Sequence, residues 1–300
     1  MAASFSGLIT PIEPGRSTRP GALSTAAAAP SHAVYATAAR RLEAAVASSC
    51  GSQHAVNEDA HSALDGSGRL FAVADGVGGG AMAQTASRLL VAHLHAALDA
   101  EPIDAARVAA AMLGADRAIA AAIARVTERP GAATVALCAP IDAAASHWLV
   151  AWVGDCRVYR WSPRGAGLLE LLTRDDTFGH LGEAAPPGGS PNDPARMVGN
   201  GATSGANAAV HGLARHGVLA LCSDGVHKHL DGADWSRVLA APLPLAQRAR
   251  ALVALARSRG SVDDATLLLL HRADPGAREP RWNPRGPERL DNERTGGRQP

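Results

Sequence analysis

Aromatic residues are only 3% of this 300-residue chain, with five Trp, three Phe and two Tyr. Ala, Val and Leu must therefore build most of any core. Cysteine is sparse too: four residues, at 50, 138, 156 and 222, lie far apart and form no CxxC pair. That argues against a disulfide framework and against a zinc site, and three of the four, in or beside apolar runs, read as small buried thiols in a reducing, cytoplasmic setting. An excess of one charge sign is missing as well. A formal net charge of +1 gives no basis for nucleic-acid binding or for docking on an acidic membrane surface. No apolar run approaches the roughly 20 residues of a membrane-spanning helix, and no internal repeat is visible.

Three hundred residues suffice for one large domain with a substantial core. Residues 1–40 are rich in Ala, Ser, Pro and Gly and lack the basic and apolar regions of a signal peptide. A disordered low-complexity leader is expected there. Residues 273–300 mix Arg, Glu, Pro and Gly without periodicity and read as a charged mobile tail. The folded domain is expected over 41–272.

Within it, Leu42 to Cys50 and Leu70 to Ala74 read as strands. Met82 to Leu98 and Asp104 to Val126 have helical spacing, with Asp104 as the N-cap of the second helix. After Arg129-Pro130-Gly131 come four short apolar runs bounded by turn residues: Ala133 to Cys138, Trp148 to Val153, Arg157 to Trp161 and Leu168 to Leu172. Gly179 to Ala208 reads as a long functional loop. Val218 to Cys222 is another strand, Trp235 to Ala240 and Leu245 to Arg257 are helices, and Ala265 to His271 closes the chain as a strand. This order predicts an α+β fold of packed sheets flanked by helices.

Acidic residues recur where these strands end. Asn57-Glu58-Asp59 follows the first strand, Asp75-Gly76 ends the second, and Gly154-Asp155 ends the Trp148 run. Ser223-Asp224-Gly225 ends the Leu221 run, and Asp263-Asp264 precedes the last strand. A single strand-end Asp is ordinary turn chemistry. Five acidic sites on strand ends predict a shared cleft, whose carboxylates repel one another unless cations neutralise them. Oxygen-only ligands suit hard ions such as Mg²⁺ or Mn²⁺. Glycines 78, 79 and 80 let the backbone turn beside Asp75.

The ordered motifs NEDAH (57–61), FAVADGVGGG (71–80), VGDCRVYRW (153–161), LTRDDT (172–177), LCSDGV (221–226) and DDAT (263–266) resemble the metal-dependent serine/threonine protein phosphatases of the type 2C (PPM) family, in a bacterial-like form. The resemblance runs from about 45 to 271. It implies a four-layer α-β-β-α sandwich of two antiparallel sheets flanked by helices. It also implies two Mn²⁺ or Mg²⁺ ions and a weaker third. Asp75 would bridge the two ions, with the Gly76 carbonyl completing one shell. Asp224 and Asp263 would hold the other ion. Asp59, with Glu58 behind it, would act through metal-bound waters, and Asp155 would serve the third ion. The implied reaction is hydrolysis of phosphoserine and phosphothreonine by a metal-bridging hydroxide attacking phosphorus in line. Asp75, Asp59 and Asp224 would be its catalytic residues. The partners implied are phosphoproteins of a Ser/Thr kinase signalling system, with a monomeric enzyme expected.

The chain also departs from that pattern. His54 stands where relatives carry a phosphate-binding Arg, which predicts weaker phosphate binding. Gly80 stands in a His position, Cys156 in a Ser position as a packing change, and Asp264 in an Asn position. His227, Lys228 and His229 follow Asp224 closely enough to line the cleft but read as a solvated turn. Two other functions compete. A pseudophosphatase or phosphoprotein-binding scaffold would keep the fold without turnover. A dinucleotide-binding protein would use Gly76 to Ala81 as a GxGxxA fingerprint, although Asp75 would then face a pyrophosphate with no ion between.

Overall fold

Central strands of this chain are apolar at nearly every position because both of their faces are covered. The computed structural model describes residues 31–99, 102–128, 131–163, 167–203 and 205–275. Its elements run β1 (His32–Ala36), β2 (Arg41–Ser49), β3 (Ala60–His61), β4 (Phe71–Val77), α1 (Ala81–Leu98), α2 (Ala105–Ala124), β5 (Ala132–Pro140), β6 (His147–Val153), β7 (Arg157–Ser162) and β8 (Leu168–Leu171). There follow α3 (Phe178–Leu181), β9 (Asn207–Gly212), β10 (Val218–Cys222), α4 (Asp224–His227), α5 (Gly232–Leu239), α6 (Leu245–Ser258) and β11 (Ala265–Ala273).

The strands form two sheets, ordered β1-β2-β11-β10-β7-β8 and β3-β4-β5-β6-β9, with antiparallel pairing throughout. Alternation along each strand sorts side chains between layers. In β4, Phe71 and Val73 enter the core between the sheets, while Ala72 and Ala74 face α1 and α2. In β11, Leu268 and Leu270 enter the same central core, while Leu267 and Leu269 pack toward α5 and α6. Leu267 to Leu270 are all fully buried, and truncating any of them to Ala costs about 2–5 kcal/mol. Three apolar layers thus hold together the α-β-β-α sandwich that the resemblance implied. Helix α2 starts on Asp104, whose carboxylate accepts from the Arg107 N–H at 2.8 Å. Among the described residues no helix is long and apolar enough to cross a membrane.

Several boundaries differ from the sequence reading. Strand β1 lies inside the stretch expected to be leader, because its five residues pair along β2 as an edge strand. Residues 1–30 of that leader and most of the tail lie outside the described residues. Strand β4 does not stop at Asp75: it pairs on through Asp75 opposite Thr134, Gly76 opposite Ala133 and Val77 opposite Ala132. The long loop contains α3, and its end is β9, the outer strand beside β6. Cys138, Cys156 and Cys222 are buried, Cys50 is exposed, and all four are free.

Candidate active site

The ladder registers bring one edge of each sheet together. In one sheet Ser49 pairs with Ala265, and Cys222 lies between Leu267 and Arg157; Ala60, Ala74 and Val153 lie at the matching edge of the other. Asp75 follows the parity of Phe71 and Val73, so it points into the space between the sheets. Gly76 has the opposite parity and is pressed against α1. A Cβ there would sit 2.3 Å from the Ala83 carbonyl oxygen and 2.9 Å from that of Glu58, so no larger residue fits. Beyond it Gly78, Gly79 and Gly80 take φ of 115°, 79° and 75°. This left-handed path turns the chain into α1 and brings the Gly80 N–H onto Glu58 Oε1.

Asp59, Asp75, Asp155, Asp224 and Asp263 converge electrostatically. Burial raises the Asp75 carboxyl well above the ordinary carboxylate range, and the charges of Asp59, Asp224, Asp155 and Asp263 push it further. Burial likewise lifts Asp59 to about 7, against hydroxyls of Thr266 and Ser223 that favour its charge. Asp155 rises to about 7, chiefly by burial and then by Asp224, with Lys228 acting against the shift. Asp263 is raised by burial and by Asp224. Such a cluster is charged only at a cost unless cations enter it.

Two oxygens mark where a cation fits. Asp59 Oδ2 accepts from Ser223 Oγ at 2.8 Å, and Asp224 Oδ2 pairs with Lys228 Nζ at 2.6 Å. The other oxygen of each, Asp59 Oδ1 and Asp224 Oδ1, is buried with no hydrogen-bond partner. Each carboxylate is oriented by one oxygen and left incomplete at the other. This all-oxygen donor set fits a hard divalent ion.

His54 and Asp264 stand beside this cluster. Asp264 is almost wholly buried; its Oδ1 accepts from the Gly51 N–H at 2.6 Å and its Oδ2 from the Glu58 N–H at 2.7 Å. Nδ1 of His54 completes the set at 2.8 Å from Oδ2. The two departures from the family pattern therefore touch. The Asp264 bond raises the His54 pKa in spite of partial burial. Nε2 of His54 lies 3.8 Å from Asp263 Oδ1, and His54, Asp263 and Asp264 place ligand atoms within 4.8 Å of one another.

Other contributors carried no role in the sequence reading. Asp175 grips Arg157 with two bonds of 2.9 and 2.7 Å, and Asp176 accepts from the Gly154 N–H at 3.0 Å just before Asp155. Both belong to the LTRDDT motif, which was the available signal. Ser223 and Thr266 likewise sit inside quoted motifs. The expected solvated turn at 227–229 is corrected: His227 is buried, its Nε2–H donates to the Asp155 carbonyl at 3.0 Å, and desolvation lowers its pKa to about 4. Lys228 reaches into the cleft as described. Cys156 packs with its Sγ 3.3 Å from Thr134 Oγ1. The dinucleotide reading loses its basis, because strand β4 and its neighbours are antiparallel and supply no parallel βαβ unit.

Comparison with protein-family models and with curated proteins finds no match. Solved structures do match. PppA, a key regulatory component of T6SS in Pseudomonas aeruginosa, is 27% identical with a TM-score of 0.65, over 77% of this chain and 97% of that one. The catalytic domain of the serine/threonine protein phosphatase PstP, solved with two manganese ions, is 27% identical with a TM-score of 0.65, over 78% and 99%. MsPP, a PPM Ser-Thr phosphatase from Mycobacterium smegmatis solved with cacodylate, is 25% identical with a TM-score of 0.62, over 76% and 97%. In fold and in the order of its acidic motifs, this chain is type 2C-like and resembles the PPM Ser/Thr phosphatases.

Proposed function

We propose that this protein hydrolyses phosphoserine and phosphothreonine on proteins with the help of divalent ions, Mn²⁺ or Mg²⁺. The observation that carries this reading is the pair of buried, unpartnered carboxylate oxygens, Asp59 Oδ1 and Asp224 Oδ1, in a cleft of five converging aspartates. Asp75 and the Gly76 carbonyl would hold one ion, with Asp75 shared with a second held by Asp224 and Asp263. Asp59 would act through water, with Glu58 behind it. Divalent ions bound there supply Lewis-acid charge that activates water and offsets the negative phosphoryl group. The chain's own part is to orient: Ser223 fixes Asp59, and Asp264 fixes both the 51–58 loop and the His54 ring. His54 would offer its Nε2 edge to the substrate phosphate. The likeness to PstP and MsPP supports a phosphatase, and proteins phosphorylated by a Ser/Thr kinase would be its substrates.

The test is phosphate release from an aryl phosphate and a phosphothreonine peptide, with and without Mn²⁺, using Asp75→Asn as control. Mn²⁺-dependent release lost in the variant is expected; no metal-dependent release from either substrate sinks the reading. One observation favours the scaffold alternative. His54, in the phosphate-binding position, already spends its Nδ1 on Asp264. Tight binding of Mn²⁺ and of a phosphopeptide without turnover would select that alternative.

A further inference from the structure

Lys228 follows the short helix α4 and folds back over the residue that opens it. Its ammonium lies 2.6 Å from Asp224 Oδ2, an i,i+4 pair that helical geometry alone would produce. The same ammonium also lies 3.8 Å from Asp155 Oδ2, and helix geometry does not account for that contact. Asp155 comes from the other sheet, at the end of β6, and its side chain is 5% exposed, whereas that of Lys228 is 46% exposed. A long, half-exposed cation is thus drawn across the cleft onto a buried carboxylate. The backbone of Asp155 is pinned for this meeting by the His227 imidazole below it.

The way Asp224 divides its oxygens is informative. Lys228 takes Oδ2, and Oδ1 stays buried and free. One side of Asp224 therefore remains open to an ion, while the side it shares with Asp155 is filled. Charge points the same way. Two divalent ions and one ammonium would balance the five aspartates when ionised, with Glu58 held separately by the Gly80 N–H. A third divalent ion beside Asp155 would face Lys228 at about 4 Å, where like charges near a buried group repel strongly.

We propose that Lys228 is a resident cation of the cleft: its ammonium occupies the ground between Asp155 and Asp224 that a third divalent ion needs, and so limits the centre to two. The proposal rests on the phosphatase reading above. It makes Asp155 a lysine partner in this chain, and it makes the charge at that position monovalent and non-exchangeable.

Bound Mn²⁺ is counted on the full chain by equilibrium dialysis and by isothermal titration calorimetry. Wild type is expected to take two ions, Lys228→Arg two, and Lys228→Gln three, with affinity at the extra position raised at least about tenfold. Asp155→Asn in the Lys228→Gln background should return the count to two. Asp155→Asn alone should keep two, which gives an independent reading should Lys228→Gln fold poorly. Three ions on wild type, an unchanged count in folded Lys228→Gln, or an ion lost from Asp155→Asn overturns the proposal. If wild type hydrolyses phosphopeptide and binds two ions but Lys228→Gln is unchanged, only this proposal fails. Absence of both Mn²⁺ binding and hydrolysis in wild type removes the phosphatase reading with it.

Discussion

The β5–β6 hairpin carries an aspartate at each end. At its turn, Asp142 accepts from the Ala144 and Ser146 N–H groups at 2.9 and 3.0 Å, from Ser146 Oγ at 2.9 Å and from the His147 N–H at 2.7 Å. Burial opposes its charge, but the bonds from Ser146 and His147 prevail and hold its pKa at about 2. At the opposite end, Asp155 is more deeply buried and its pKa is about 7. Its side-chain partner is the Lys228 ammonium, 3.8 Å away. One carboxylate is completed by hydrogen-bond donors of its own turn, and the other is met by a lysine reaching across the cleft. Asp263 and Asp264 repeat the contrast within a dipeptide. Asp264, the more buried, is lowered because His54, Glu58 and Gly51 outweigh its desolvation, while half-exposed Asp263 is raised. Hydrogen bonding, rather than depth, separates structural carboxylates from those that await a cation.

The sharpest way to break that contrast is at the centre of the incomplete set. Asp75→Asn keeps the shape of β4 but removes the shared carboxylate. The loss in kcat for Mn²⁺-dependent phosphate release should be on the order of 10³-fold, while far-UV circular dichroism stays that of wild type. An activity within tenfold of wild type would return Asp75 to the class of Asp142.

Next in size is the backbone that sets the two classes side by side. A Cβ on Gly225 would fall 2.0 Å from the Asp264 carbonyl oxygen and 2.9 Å from its carbonyl carbon. Neither atom can yield without moving the start of β11. Gly225→Ala should cost about 3 kcal/mol, read as a lower urea midpoint in protein kept in chelator. A cost below about 0.5 kcal/mol would mean that the close approach of α4 to β11 is dispensable.

Much of this was legible in sequence where burial on both faces left a clear mark. The Leu267 to Leu270 run reads as a strand because no polar residue interrupts it, and Asp104 reads as a cap because its side chain acts locally. Strands β1 and β9 left weaker marks. Each is a sheet edge with exposed residues, and pairing with β2 or β6 supplies the order that HAVYA and NAAVHG do not show alone. His227 was misread because its neighbours Lys228 and His229 are polar, whereas its burial comes from a contact with residue 155. The departures at 54 and 264 were each visible, but 210 residues separate them and only folding shows that they meet.

The same Asp→Asn change should act with opposite sign in the two classes. In chelator at pH 8, Asp59 pays for a charge that burial disfavours, since its folded pKa of about 7 lies above its ordinary 3.8. That destabilisation is absent in acid, grows as pH rises past the ordinary value, and is complete above about 7. Asp59→Asn removes it and should gain on the order of 1–2 kcal/mol, raising Tm by several degrees. Asp264→Asn loses an acceptor facing the Gly51 or Glu58 N–H and should cost about 2 kcal/mol. Differential scanning calorimetry decides; a shift of the same sign in both variants would dissolve the distinction.

The smallest effect belongs to the completed end of the hairpin, and its pH dependence is the mirror image. Asp142 has a folded pKa of about 2, below its ordinary 3.8. A depressed carboxyl contributes stability above the ordinary value and loses it as pH falls through the folded one. Its side chain is 32% exposed, so solvent screening reduces the contribution to about 1 kcal/mol. Asp142→Asn should therefore lower stability by that amount at pH 7, and the gap to wild type should narrow between about pH 4 and pH 2. Urea unfolding of both proteins at pH 7, 5 and 3 measures it. A gap that stays constant, or widens in acid, would show that the turn at Asp142 depends on shape rather than on charge.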